Sequence, residues 1–156
     1  MKLTRSTIRS ESDPTNEQHI ATRLARLAAF APLFRDPATV FGTRHPDTGT
    51  GTRDDPWKFG WYQLSEVGSK FIKMLYDAGW VMRDFDWPNW AWSEKAQRLC
   101  SDRTTLVTAN YDQLAKLLAA LVRQDRFYDS ALEEAFEDGL LRAIAERAEA
   151  LTVEER

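Results

Sequence analysis

The chain predicts a compact, mainly α-helical single domain, and three observations support this. Apolar residues recur at helical spacing in several segments, capping residues stand in front of those segments, and no internal repeat or low-complexity tract interrupts them. At 156 residues the chain fits one domain, and a domain of that size buries roughly 68–70% of the surface its unfolded chain would expose. About five to six helices are expected by this periodicity, with a small β-hairpin around residues 39–62. A flexible tail over residues 1–14, the helical domain over 15–150 and a flexible end over 151–156 complete the expected organisation.

Residues 1–14 are polar, without hydrophobic period, and end in Asp13-Pro14. Thr15-Asn16-Glu17-Gln18 has the form of a capping box, and Ile20, Leu24, Leu27, Ala28 and Ala31 follow on one helical face. Pro32 disfavours helical dihedrals at Ala31, which places the stop near residue 30. The polar stretch from Thr43 to Pro56, with Pro46, Gly49, Gly51 and Pro56, reads as a loop between two β-prone pieces, Thr39-Val40-Phe41 and Trp57 to Tyr62.

Ser65 is an N-cap for a helix whose Val67, Phe71, Met74, Leu75 and Ala78 share a face, and Gly79 is its expected stop. Asp86-Trp87-Pro88 opens another helix, expected to run to Leu99, with Leu106 and Val107 in the loop beyond it. Asn110-x-x-Gln113 opens the clearest helix, with Leu114, Leu117, Leu118, Leu121 and Val122 as its apolar stripe. Ser130-x-x-Glu133 is expected to cap a short helix that buries Leu132, Ala135 and Phe136 and ends at Gly139. Leu140, Leu141, Ile144 and Ala148 form the last apolar face.

All six tryptophans, Trp57, Trp61, Trp80, Trp87, Trp90 and Trp92, lie in the middle of the chain. Large aromatics dominate core energetics, so this cluster is expected to be a tryptophan-rich core. A ligand pocket lined by Trp87 or Trp90 is the functional alternative. Stacking on nucleic-acid bases needs a basic groove, and the charges near the cluster are balanced.

Asp125 lies eleven positions after Leu114, or about 20° around the axis of a continuous helix, so a carboxylate projects toward the apolar stripe. It needs a cation or backbone donors. Arg83, Arg123 and Arg126 are the candidate ion-pair partners, and a cap for the following turn is the other solution.

Net charge is −3, and from Asp129 onward nine acids face three arginines. That acidic end reads as solvated helix surface and repels phosphate. One cysteine, Cys100, and two histidines, His19 and His45, leave no zinc-ligand pattern, and neither histidine has a nucleophile in sequence context. The glycine-containing loop lacks the phosphate-loop pattern. A signal peptide is disfavoured, and no run of about 18 apolar residues offers a membrane span. A cytoplasmic protein with no metal and no cofactor is expected.

The run LYDAGWV, the element FDWPNW, the helix YDQLAKLLAALVRQDRF and the run AFEDGLLRAIAERA, in that order, resemble a family of small bacterial proteins catalogued as a domain of unknown function. The resemblance covers about residues 20–150 and implies a small helix-rich cytoplasmic domain, without bringing an activity, cofactor or catalytic residue. The basic tail and the GTRHPDTGTGTRDDP loop look like this member's own additions.

These observations lead first to a non-enzymatic binding or regulatory module with a protein partner. The alternative is a small-ligand-binding protein or enzyme with a pocket between FDWPNW and the RQDRF helix end, drawing on Asp86, Trp87, Trp90, Arg123, Asp125 and Arg126. A nucleic-acid-associated accessory protein is the weaker third reading.

Overall fold

The computed structural model describes residues 14–127 and 130–154. Its elements are α1 (Pro14–Ala28), α2 (Ala31–Arg35), β1 (Gly42–His45), β2 (Trp61–Leu64), α3 (Glu66–Asp77), α4 (Trp87–Ala91), α5 (Glu94–Ser101), α6 (Arg103–Val107), α7 (Tyr111–Asp125), α8 (Ala131–Glu137) and α9 (Leu140–Glu154). The protein is mainly helical with one small antiparallel hairpin, as its periodicity predicts. No helix among the described residues is long and apolar enough to cross a membrane.

Two helices organise the packing. The last, α9, touches α1, α2, α6, α7 and α8. Its Leu140, Leu141, Ile144 and Ala148 are buried, and so is Leu151, which sets the end of the packed domain beyond the expected boundary at 150. The other, α7, is apolar over most of its circumference and packs between α4 and α8. Its capping box is complete: Asn110 Oδ1 accepts from the Gln113 N–H at 2.9 Å, and Gln113 Oε1 accepts from the Asn110 N–H at 3.0 Å. Leu24 and Leu27 of α1 and Phe71, Met74 and Leu75 of α3 close the core.

Local chemistry explains the other boundaries. Helix α1 begins at Pro14, inside the expected tail, so Thr15 lies within its first turn and the cap position falls at residue 13, outside the described residues. The rest of the expected tail, residues 1–13, lies outside them too. Helix α1 ends at Ala28, close to the expected stop near residue 30, and Pro32 sits in the first turn of α2, where a missing N–H costs nothing. Ser65 caps α3 by accepting from the Gly68 N–H at 3.1 Å, and Gly79 ends it at φ +83°, a conformation glycine adopts without penalty.

The segment expected to be one helix from Trp87 to Leu99 is two. Ser93 accepts from the Ala96 N–H at 3.2 Å and starts α5 anew, because a serine hydroxyl at this position satisfies the backbone donors of a fresh helix. Leu106 and Val107, expected in a loop, belong to α6, which Asp102 caps through the Thr104 N–H at 2.9 Å. A five-residue helix is too short to display a period.

In the hairpin, Gly42 pairs with Leu64 and His45 with Trp61, with a further bridge between Thr48 and Lys58. The first strand therefore starts at Gly42 and runs into the expected loop, while Thr39 to Phe41 is not a strand. Phe41 instead anchors the hairpin, its ring stacked on Phe34 at 4.2 Å and on Phe136 at 5.3 Å. The hairpin's inner face, Tyr62 and Leu64, lies half-buried against this aromatic stack.

The tryptophan-rich core is not what the chain builds. Trp80 is fully buried, Trp87 and Trp90 are half-buried, and Trp57, Trp61 and Trp92 are exposed. Trp57 and Trp92 lie on connections outside the helices and strands and Trp61 on the two-stranded hairpin, so these three remain at the surface. The core is made instead of leucine and alanine from the long helices.

Most of the described acids of the acidic end stay at the surface, as expected, and Glu134, Glu137, Asp138 and Glu154 are exposed. Arginines from other elements meet it: Arg35 pairs with Glu149, Arg44 with Glu133 at 3.2 Å and Arg103 with Asp138 at 3.5 Å.

Candidate functional site

Asp86 caps α4 through a long contact from the Asn89 N–H, 3.4 Å, and Pro88 preorganises the first turn. This short helix turns Trp90 onto the core and Trp87 toward the end of α7, where its ring stacks on Phe127 at 5.9 Å. Between α4, α5 and α7 these aromatics enclose a groove of about 500 Å³. Leu117, Ala120 and Leu121 supply the α7 wall, and Ala96 and Cys100 that of α5. Trp92, 84% exposed, and Phe127, 73% exposed, stand at its edge.

The groove carries no charged residue among its described lining. Its polar groups are Gln97, which donates to the Ala91 carbonyl at 2.9 Å, Gln124 and Cys100. Burial pushes the Cys100 thiol above its ordinary pKa, with Arg103 opposing that shift and Asp138 reinforcing it. A thiol shifted in that direction is neutral and unreactive near pH 7.

The six residues singled out from the sequence are not one constellation. Trp87 and Trp90 line the groove. Arg123 and Arg126 line a separate cleft with Tyr76, Val81 and Arg83. Arg123 donates to the Met82 carbonyl at 2.7 Å, and Arg126 to the Tyr76 hydroxyl at 3.1 Å. The two aspartates work as caps. Asp86 opens α4, and Asp125 accepts from the Leu132 N–H at 3.1 Å at the start of α8. Ser130, the expected cap of α8, makes no side-chain capping bond, because its backbone is already helical at φ −107°, ψ −3°.

Sequence reasoning treated Trp92 only as core material and gave Phe127 no role of its own. The signal was available for Trp92: two positions after Trp90 it lies roughly 200° around a helix and cannot share that buried face.

Other concavities carry less. A groove of about 590 Å³ between α6 and α9 holds Arg103, Arg142 and Arg147, but each is paired with an acid of the same lining: Asp138, Glu146 and Glu154. His45 bonds Gln63 at 2.8 Å and stacks on Trp61. Among the described residues, no group of three or more His, Cys, Asp or Glu side chains is placed to hold a metal ion.

A family of unknown function, DUF6508, matches residues 19–154. The chain belongs to that family. The DUF6508 match reaches from α1 to the end of α9, so groove, cleft and hairpin all fall inside it. No curated protein and no solved structure matches the chain.

Proposed function

We propose that this DUF6508 protein is a non-enzymatic binding module of the cytoplasm, and that the groove between α4, α5 and α7 receives an apolar segment of a protein partner. One observation carries this reading: Trp92 and Phe127 remain in solvent at the edge of a groove that has an apolar floor and no charged lining residue among those described. Exposed aromatics around an apolar depression mark recognition sites, and tryptophan dominates the energetics of such contacts. A partner helix laying its apolar face into the groove is the recognition mode that fits. A charged metabolite would find no counter-charge there. Base stacking is likewise poorly served, since no lysine or arginine in the groove would follow a nucleic-acid backbone. A single half-buried cysteine suits a reducing compartment.

A second reading is a small apolar ligand, favoured by the volume of about 500 Å³, which lies in the range of ligand pockets. Affinity capture from the native host with the wild-type chain and with a Trp92→Ala/Phe127→Ala variant separates the readings. A protein retained by the wild type, lost with the variant and bound again after purification supports the partner. A small molecule released from the wild type on denaturation, with no protein differing between the baits, supports the ligand and sinks the partner.

A further inference from the structure

We infer that the cleft between the end of α7 and the connection after α3 binds a phosphate-class oxyanion carried by a small soluble molecule. Its described lining is Tyr76, Val81, Arg83, Arg123 and Arg126, around about 420 Å³. Three guanidinium groups thus meet one phenol and one apolar side chain, with no carboxylate among those residues. Two acids close to these residues in the chain are engaged: Asp77 pairs with Lys73, and Asp125 accepts from the Leu132 backbone.

The donor inventory leads to the same place. Each guanidinium offers five N–H donors in a planar fork that matches phosphate oxygens. Arg123 uses Nη2 on the Met82 carbonyl, while its Nε is shielded from solvent and has no acceptor. Arg126 uses Nη2 on Tyr76, and Arg83 makes no hydrogen bond or ion pair among the described residues. A buried donor left unpaired is costly, and an oxyanion that draws the Arg123 fork toward the cleft would supply its acceptor.

A purely structural account covers only part of this. Cations near a helix C-terminus suit the macrodipole, which explains Arg123 and Arg126, and the bond to Met82 ties the connection to α7. Arg83 comes from the connection between α3 and α4 and adds a third like charge to the same cleft. Other arginines of the fold, such as Arg35, Arg44, Arg103 and Arg147, are each matched to a carboxylate. Three monocations favour a dianion over a monocarboxylate, and hence phosphate or pyrophosphate chemistry. The inference is independent of what occupies the aromatic groove.

Calorimetric titration with inorganic phosphate, pyrophosphate and ADP, at fixed ionic strength set with chloride, tests it. Saturable one-site binding is expected, weakened at least about tenfold by Arg83→Gln and abolished by Arg83→Gln with Arg126→Gln. ADP binding much tighter than pyrophosphate would assign the anion to a nucleotide, and equal affinities to the phosphoryl groups alone; both support the site. No saturation by any probe up to about 10 mM, or affinity unchanged in both variants, overturns it. The Arg123 Nε–H resonance of the wild-type chain gives a readout that depends on no variant: it should shift on saturation with pyrophosphate, and its failure to move would equally overturn the site.

Discussion

Trp80 and Trp92 show how far one residue type can diverge within a short stretch. Trp80 lies wholly inside the core, beside Tyr111 at 5.3 Å, whereas Trp92 is 84% exposed. Trp80→Ala should therefore cost about 3–5 kcal/mol in urea unfolding, and Trp92→Ala no more than about 0.5 kcal/mol. Equal losses would mean that the groove edge is packed after all. Asp125 allows a second residue-scale test. As the acceptor for the Leu132 N–H it acts as a cap, so Asp125→Ala should cost about 0.5–2 kcal/mol and Asp125→Asn less. A loss of about 3–5 kcal/mol for the alanine variant would instead point to a buried ion pair. The helical position of Asp125 made its need for a donor legible in the sequence. Which donor answers it depends on where the chain returns after residue 127, which spacing cannot show.

At the scale of elements, legibility followed length and local capping. α3 and α7 are long enough to repeat their apolar stripe and carry caps within three residues, so sequence and structure agree on them. α2, α4 and α6, five residues each, hold one turn apiece, so no period announces them, and only the start of α4, through Asp86 and Pro88, was legible. The hairpin register was illegible for a related reason: Phe41 has strand propensity but is claimed by the stack with Phe34 and Phe136. The junction of hairpin and α3 is correspondingly tight. A Cβ at Gly68 would overlap the Phe41 carbonyl oxygen, which already accepts from the Ser65 N–H at 2.9 Å. Gly68→Ala should thus destabilise by about 1–3 kcal/mol, read by thermal or urea unfolding, despite alanine's better helix propensity. A gain in stability would show that the contact relaxes freely.

For the whole molecule, the long helices bury leucine and alanine around α7 and α9, and most exposed aromatics sit on the hairpin and the connections. Two aromatic surfaces result: the groove edged by Trp92 and Phe127, and the outer side of the hairpin with Trp57, Phe59 and Trp61. The starts of the helices that carry FDWPNW and RQDRF were legible in the sequence, from the Asp86 cap and the Asn110-x-x-Gln113 box. The division into an uncharged groove and an arginine cleft was not, because Arg126 and Phe127 are consecutive in the chain yet line different concavities. The proposed role rests on the groove being the surface that meets a partner. Placing a photo-crosslinking phenylalanine analogue at position 92, 127, 59 or 22, one at a time, and irradiating the native host tests it most directly. The account predicts one common protein adduct from positions 92 and 127 and none from Thr22, exposed on α1. An adduct from position 59 alone, or no adduct at 92 and 127, would contradict it.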